Sequence, residues 1–371
     1  MTDDSPWGVY VHVPWCRVQC PYCAFEVTTE DPADRAAAWA TAVSREWSTR
    51  RPAFPGAAPR TLAFGGGTPS RLPAPVIRTL VDRIGPSGEI SLEANPEDLD
   101  DAWLSAVVEA GVDRLSVGVQ SFHLGTRKRL GRAWVSADPE PLLAGLAERH
   151  GLRSWSLDLI FAVPGQTMAL LDADLDAVER LSPPHVSIYG LTFEPGTPLH
   201  RAVQSGRLQP TDDDLWRAMY DRIVARLEAM GLRRYEVSNF ARPGHRSAHN
   251  GLYWHDHPYM GLGPAAHGYL PTGQRYHNTP TLSAYLQADD PTDRLETPDP
   301  HQALLDLLVS TLRCIDGVDL DHLHQRTGLT LDDDRVARLV QHGLLVQEGR
   351  RLTLTEQGVP VCDAVVASLV G

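Results

Sequence analysis

The chain has 371 residues, 42% of them hydrophobic, and a formal net charge of −13. This length is enough for one large domain with an appendage, and the acidic balance argues against nucleic-acid phosphates as partners. Five cysteines are too few for a disulfide framework of this size, which indicates a reducing compartment. The segment MTDDSPWG lacks the basic and apolar regions of a signal peptide, and no apolar run of about 18 residues follows, so we predict a cytoplasmic protein.

Strand-like and helix-like segments alternate over the first 200 residues. Six runs that are rich in β-branched residues or alternate in polarity are candidate strands, at 9–14, 61–66, 89–95, 114–121, 154–164 and 185–193. The segments between them space Ala and Leu as helices do, and Asp or Ser begins several of them. We therefore predict an α/β fold with a parallel sheet closed or partly closed into a barrel, whose active site lies at the carboxyl ends of the strands.

The pattern changes twice after this region. Residues 1–200 are the predicted barrel, and residues 201–295 contain a long helical stretch followed by a segment rich in Gly, His and aromatic residues. Residues 296–371 have helical segments and a short ribbon, as in a small winged-helix-like domain. The balance of charges in this last part gives no reason to expect DNA binding.

Three of the five cysteines, Cys16, Cys20 and Cys23, lie within eight positions directly after the first predicted strand. Pro14 and Pro21 make this segment a loop, which disfavours buried core cysteines. Closely spaced thiolates suit soft metals and iron-sulfur clusters, whereas a zinc site would need a fourth protein ligand that no neighbouring motif offers. We predict that the three cysteines hold a 4Fe-4S cluster and leave one iron open.

A three-cysteine loop after the first strand of a barrel resembles the signature of radical S-adenosylmethionine (SAM) proteins. The resemblance covers residues 7 to about 290, with a weaker match in the tail. It implies a partial (β/α)6 TIM-type barrel followed by a smaller C-terminal helical or winged-helix-like domain. It also implies that SAM binds the open iron of the cluster through its amino and carboxylate groups.

Glycines and polar residues at the other strand ends are candidate SAM contacts. Glycines after the second strand let the backbone approach a ligand, although a Gly triplet can also be a tight turn. Each polar residue alone could instead form a cap or a salt bridge, but as a set they match the family pattern of hydrogen bonds to SAM. The predicted contacts are Gly66, Gly67, Thr68, Glu93, Gln120, Arg132 and Asp158, and the resemblance adds Tyr10.

Longer motifs narrow the resemblance to one branch. The runs YVHVPWCRVQCPYCAF, LAFGGGTPSRL and LDLIFAVPGQT are similar to those of oxygen-independent coproporphyrinogen III oxidases and HemW-type haem chaperones, and YEVSNFARPG with HNGLYW most resembles the HemW type. The oxidases carry another cysteine two positions after the third, where this chain has Phe25, and a longer N-terminal extension. Both departures argue against decarboxylation of coproporphyrinogen. HemW-type sequences usually have His two residues after LGR, where this chain has Trp134.

The segment HNGLYW, residues 249–254, matches a pattern associated with haem binding in that branch. Imidazole is a common axial ligand of haem iron and aromatic rings can cover the macrocycle, which makes His249 the candidate ligand. A structural role in a loop or a core is the competing interpretation. His255, His257 and His267 are competing ligands.

The resemblance implies a haem chaperone that holds a 4Fe-4S cluster with SAM, binds haem and delivers it to apo-haemoproteins. It further implies an electron donor for the cluster, and it allows a homodimer and peripheral membrane association. Two alternatives stay open: a radical SAM enzyme, either a coproporphyrinogen oxidase or a methyltransferase, and a structural cluster protein that binds neither SAM nor haem. An enzyme predicts SAM consumption with a modified product, whereas a chaperone predicts stoichiometric haem binding and transfer.

Overall fold

The fold is taken from a computed structural model that describes residues 5–132 and 138–371, so Trp134 lies outside the described residues. The strands in these ranges are β1 (Gly8–Val13), β2 (Thr61–Gly66), β3 (Ile90–Ala94), β4 (Arg114–Gln120), β5 (Ser154–Phe161), β6 (His185–Gly190), β7 (Arg233–Arg234), β8 (Asn239–Ala241), β9 (Tyr259–Leu262), β10 (His267–Tyr269), β11 (Arg275–Asn278), β12 (Thr292–Glu296), β13 (Val318–Asp319), β14 (Leu345–Glu348) and β15 (Arg351–Leu354). The helices are α1 (Ala36–Arg50), α2 (Ala74–Ile84), α3 (Asp101–Glu109), α4 (Leu124–Arg129), α5 (Glu140–Leu143), α6 (Leu146–His150), α7 (Met168–Leu181), α8 (Pro198–Gln204), α9 (Asp213–Ala229), α10 (Ala248–Trp254), α11 (Leu282–Gln287), α12 (Pro300–Thr311), α13 (Leu320–Thr327), α14 (Asp333–Gln341) and α15 (Cys362–Val370).

The central feature is a long sheet in which β1 to β6 are neighbours in chain order. All five of these pairings are parallel, and the full strand order is β12-β11-β10-β9-β1-β2-β3-β4-β5-β6-β8-β7. The barrel stays open because β9 pairs with the outer edge of β1 and β8 pairs with the outer edge of β6. The predicted α/β class with a partial (β/α)6 barrel is confirmed.

Helices in the crossovers share one hydrophobic core with the strands. Val9 and Val11 of β1, Val43 of α1 and Ile77 of α2 are fully buried in it. Strands buried on both faces are expected where helices cover a parallel sheet. The side chain of Asp100 caps α3 by accepting a hydrogen bond from the amide of Trp103, in agreement with the capping pattern of the sequence.

The carboxyl ends of several strands depart from regular extended backbone. Gln120, at the end of β4, has a φ of 68°, and the pairing with β5 is irregular between Gly118 and Gln120. Ala162, directly after β5, has a φ of 58°, which ends this strand before the predicted residue 164. Left-handed backbone interrupts a strand ladder and redirects the side chains that follow it.

Residues 201–295 extend the barrel sheet at both edges, with β7 and β8 on one side and β9 to β12 on the other. The C-terminal part has its own buried core, which includes Leu307, Leu308 and Leu352, and a small sheet in the order β13-β15-β14. The division at residues 200 and 295 stays a prediction. In the part of the chain that the structure describes, every helix is too short or too polar to cross a bilayer.

Candidate cluster and cofactor site

The cysteine loop has fixed backbone contacts near its first and last cysteines. The amide N–H of Cys16 donates to the carbonyl of Thr28 over 2.9 Å, and the N–H of Cys23 donates to the carbonyl of Cys20 over 3.0 Å. The guanidinium of Arg71 donates to the carbonyl of Cys16 over 2.7 Å. These contacts hold the loop in place at the carboxyl end of β1.

The three cysteines line one cavity of about 680 Å³ at the carboxyl ends of the barrel strands. Their thiols are free and half-buried. The same cavity collects most of the predicted SAM contacts: Gly66, Gly67, Thr68, Glu93, Gln120, Arg132 and Asp158. The structure therefore brings together residues of β2 to β5, the cysteine loop after β1 and Arg132 after α4, although their contacts with a ligand stay a prediction.

The donor set of this cavity fits an iron-sulfur cluster. Within residues 5–132 and 138–371, no group of three His, Cys, Asp or Glu side chains is arranged to hold a single metal ion. Each protein ligand of a 4Fe-4S cluster binds its own iron, so thiolates that serve a cluster need not converge on one point. Burial raises the pKa of all three thiols, and a bound metal offsets this cost because it stabilises the thiolate form.

The glycines at the end of β2 are required by the packing of the backbone itself. Gly66 has a φ of 104°, and a Cβ there would lie 2.4 Å from the ring of His12. A Cβ on Gly67 would lie 2.7 Å from the carbonyl oxygen of Val13, to which the N–H of Gly67 donates over 2.8 Å. Gly65 and Gly66 are thus the last residues of β2, paired with His12 and Val13 of β1, and only Gly67 lies beyond the strand. A cofactor contact at the same glycines is compatible with this role.

Two carboxyl groups give the cavity a negative side. Burial and the nearby Asp158 raise the pKa of Glu93 to about 7, while the hydrogen bond that Glu93 accepts from the amide of Gly66 (3.2 Å) lowers it. The side chain of Glu93 is exposed to the cavity but lies deep inside the barrel, which explains its strong desolvation. Burial also raises the pKa of Asp158, which accepts hydrogen bonds from Ser116 (2.7 Å) and Ser156 (3.0 Å).

A polar chain connects the guanidinium of Arg132 to the first cysteine. Arg132 donates to the side-chain oxygen of Asn95 over 2.5 Å, Asn95 donates to Thr68 over 3.4 Å, and the hydroxyl of Thr68 lies 3.5 Å from the sulfur of Cys16. Sequence reasoning placed Asn95 at a strand end but gave it no role. It also missed Ser116, whose polarity between buried neighbours on β4 is the signal that could have found it.

Two predicted site residues lie outside this cavity. The ring of Tyr10 lies beside Gly65 on the same side as the carboxyl group of Glu93, because a Cβ on Gly65 would be 2.9 Å from both. The hydroxyl of Tyr10 is 3.1 Å from Nδ1 of His12. His249 is 3% exposed; its Nδ1 is 2.7 Å from the hydroxyl of Thr61 and its Nε2 is 2.6 Å from that of Tyr253. In this arrangement both ring nitrogens of His249 are hydrogen-bonded, so neither is free to bind haem iron. The role of His249 as a haem ligand stays a prediction.

A second cavity, of about 650 Å³, lies beside the first. Ala24 and Phe25, directly after the third cysteine, line both cavities. Tyr253 and Trp254, the aromatic half of the HNGLYW motif, line the second one, together with Tyr10. The motif is therefore divided between a buried histidine and two rings that face a cavity.

Comparisons with known proteins agree with this architecture. The chain matches the Radical SAM superfamily over residues 10–178 and the HemN C-terminal domain over residues 299–361. Its structure resembles that of coproporphyrinogen III oxidase (HemN) from Escherichia coli, with a TM-score of 0.82 and 22% sequence identity over 99% of this chain and 90% of that chain. The fold and the cysteine-lined cavity define a radical SAM protein.

Full-length relatives define the family within this class. The chain is 34% identical to the heme chaperone HemW of Mycobacterium tuberculosis over 99% of this chain and 95% of that protein, and 30% identical to HemW of Bacillus subtilis over 98% and 99%. HemW of Escherichia coli is 31% identical over 96% of both chains. The chain belongs to the HemW family, which confirms the resemblance found in the sequence. Membership of the radical SAM superfamily implies a 4Fe-4S cluster and SAM as cofactors.

Proposed function

We propose that the protein is a cytoplasmic haem chaperone that holds a 4Fe-4S cluster with SAM, binds haem and delivers it to apo-haemoproteins. The observation that carries this proposal is the similarity, over 96% or more of the chain, to proteins named heme chaperone HemW. Phe25 supports the same function, because it occupies the position at which coproporphyrinogen oxidases carry an additional cysteine.

We assign the cluster to Cys16, Cys20 and Cys23, with one thiolate on each of three irons. When bound, the cluster supplies single electrons. The chain itself holds the thiolates in place through the backbone contacts of the loop. The hydroxyl of Thr68, 3.5 Å from the sulfur of Cys16, is a hydrogen-bond donor of the kind that tunes the potential of such clusters.

We assign SAM to the remainder of the same cavity. Glu93 and Asp158 offer negative charge to a cationic ligand, and the guanidinium of Arg132 suits the ligand carboxylate. Gln120 can donate to and accept from the ribose or the adenine edge. Gly66, Gly67 and Thr68 line the wall next to the cysteine loop, where the methionine end would lie.

Tyr10 takes an indirect role under this proposal. Its ring lies beside Gly65 and the carboxyl group of Glu93, so it packs next to the part of the SAM cavity that Glu93 lines. We further propose that residues 1–200, 201–295 and 296–371 act as barrel, haem-site segment and C-terminal domain. A separate electron donor, a homodimer and peripheral membrane association complete the proposal on the strength of the family resemblance.

The proposal is tested on protein reconstituted without oxygen and then reduced. We expect stoichiometric haem binding in a Soret titration and, in a parallel sample with SAM and coproporphyrinogen III, no loss of carbon dioxide from the propionates by mass spectrometry. Decarboxylated product with matching SAM consumption would contradict the chaperone function and assign the oxidase activity. A protein that binds SAM but no haem would contradict it equally.

A further inference from the structure

The second cavity is formed by segments that are far apart in the sequence. Its walls come from β9, β10, β11, α10 and α12, and from the residues that follow the cysteine loop. Its volume of about 650 Å³ falls within the roughly 300–1,000 Å³ of sites for small molecules and cofactors. The cavity is large enough to be a ligand site in its own right.

Two histidines stand side by side on one wall of this cavity. His267 on β10 and His277 on β11 are direct cross-strand partners, and their ring centroids are 4.3 Å apart. Nδ1 of His277 lies 4.0 Å from the carboxylate of Asp293, which is too far for a hydrogen bond. In the described ranges, His267 is exposed and makes no hydrogen bond through either ring nitrogen, so it can offer one to a ligand.

The neutral form of His267 is favoured by its surroundings. Burial of part of the ring and then the neighbouring His277 lower the pKa of His267, while Glu296 raises it. Neutral imidazole is the form that binds iron. Arg275 also lowers this pKa and pairs with Asp306. The other charged groups and histidines that line the cavity are His12, Glu26, Asp256, His257 and Arg326.

Aromatic and aliphatic side chains supply flat apolar walls. The rings of Tyr253 and Tyr259 are 4.6 Å apart between centroids, and Tyr269 follows at 6.4 Å from Tyr259. From α12, Leu305 and Val309 line the same cavity, with 37% and 41% of their surface exposed. Such walls suit a flat macrocycle with apolar faces.

The cavity also has cations for the acidic substituents of such a ligand. Arg275 is paired with Asp306 over 2.6 Å, and Arg326 is paired with Asp256 over 2.9 Å; all four residues line the cavity. The two guanidinium groups equal the two propionates of haem in number. Each propionate would pair with a guanidinium that already pairs with an aspartate. A cation, an apolar macrocycle wall and an imidazole therefore occur in one place.

We propose that haem binds in this second cavity and that His267 is its axial ligand. The inference rests on the proposed haem-chaperone function and specifies where that function is carried out. His249 is then a positioning residue, because its Nε2 holds the hydroxyl of Tyr253 so that the aromatic half of the HNGLYW motif forms a wall of the site. The haem site and the cluster site then adjoin at Ala24 and Phe25, which line both cavities.

The test is a hemin titration of the full-length, cluster-loaded protein in four forms. The forms are wild type, His267→Ala, Val309→Arg and the control His255→Ala, which removes an exposed histidine that does not line the cavity. We expect His267→Ala to bind hemin roughly tenfold or more weakly with a shifted Soret band, because even loss of a residue that supports a metal ligand costs 10–100-fold in affinity. Added imidazole should restore the wild-type spectrum of His267→Ala.

Val309→Arg should weaken hemin binding without changing the spectrum of the cluster or the binding of SAM, and His255→Ala should behave as wild type. The cluster spectrum and SAM binding show that each variant is folded and loaded. The proposed site would be overturned if His267→Ala bound hemin with wild-type affinity and an unshifted Soret band. It would also be overturned if Val309→Arg bound hemin with unaltered affinity. Neither result would contradict the chaperone function. Absence of stoichiometric hemin binding by the wild type would instead overturn the proposed function and the site together.

Discussion

Replacing His249 with Gln tests whether this histidine is a buried structural group. In the folded protein its two ring nitrogens contact the hydroxyls of Thr61 and Tyr253, and burial lowers its pKa from 6.5 to about 3. Gln can also donate to one partner and accept from another, but it does not titrate. The substitution therefore removes the proton-binding equilibrium while keeping a polar group in place.

The size of the effect follows from the two pKa values. Because the pKa of His249 is lower in the folded state, protons bind preferentially to the unfolded chain, and the stability that the neutral ring contributes is complete above pH 6.5 and lost as the pH falls toward 3. The full difference corresponds to roughly 5 kcal/mol. About 2 kcal/mol of this is lost between pH 8 and pH 5.

Guanidinium unfolding curves, recorded by tryptophan fluorescence at pH 8 and pH 5, measure this loss. We expect the free energy of unfolding of His249→Gln to fall by about 2 kcal/mol less than that of wild type over this interval. The buried His12 and His185, whose pKa values are also lowered by burial, affect both proteins equally. His255→Gln, at an exposed position, is the control and should follow wild type. Parallel curves for His249→Gln and wild type would refute the burial argument.

Three other substitutions test the cluster and SAM cavity. Cys20→Ala should abolish the absorbance of the reconstituted cluster, whereas the control Cys362→Ala, in the C-terminal core, should retain it. A spectrum unchanged by Cys20→Ala would show that Cys20 is not a cluster ligand. Gly67→Ala should destabilise the protein by about 1–3 kcal/mol in thermal or denaturant unfolding, since its Cβ would lie 2.7 Å from the carbonyl oxygen of Val13, and an unchanged midpoint would contradict that packing. The affinity of the wild-type protein for cationic SAM, measured by equilibrium dialysis, should rise as the pH increases through about 7, because Glu93 then ionises. The Glu93→Gln variant should show no such rise. Identical pH profiles for the two proteins would exclude Glu93 as the titrating group.

The barrel and the contents of the first cavity were predictable because they depend on local pattern and on one topological rule. The six predicted strands all occur, and the carboxyl ends of parallel strands meet on one side of a sheet. Polar residues at those ends, such as Glu93 and Asp158, therefore had to lie near the loop that carries Cys16.

The placement of Tyr10 and His249 could not be read from the sequence, because it depends on which way a side chain points. The ring of Tyr10 lies beside Gly65 and Glu93 but outside the first cavity. His249 and Tyr253 are one helical turn apart on α10, and Nε2 of His249 contacts the Tyr253 hydroxyl. The motif pattern identified the right helix but could not say which of its residues face open space.

The second cavity was beyond sequence reasoning for another reason. His267 was named among competing ligands, but His277, Arg275 and Val309 were not, because they approach one another only when β10, β11 and α12 are packed together. Two short antiparallel strands carry the histidine pair, and their register alone places the rings opposite each other. Such a register is set by tertiary packing and has no short motif.

Haem transfer to an acceptor protein is the most direct measurement of the proposed chaperone function. Full-length protein loaded with the cluster, SAM and one equivalent of hemin is mixed with an excess of an apo-haemoprotein, and the growth of the acceptor's own haem spectrum is followed beside a control with haem bound to albumin. The chaperone function predicts stoichiometric transfer that is faster than from albumin and leaves the amount of SAM unchanged. Haem that stays on the protein, or that leaves it no faster than it leaves albumin, would contradict the function.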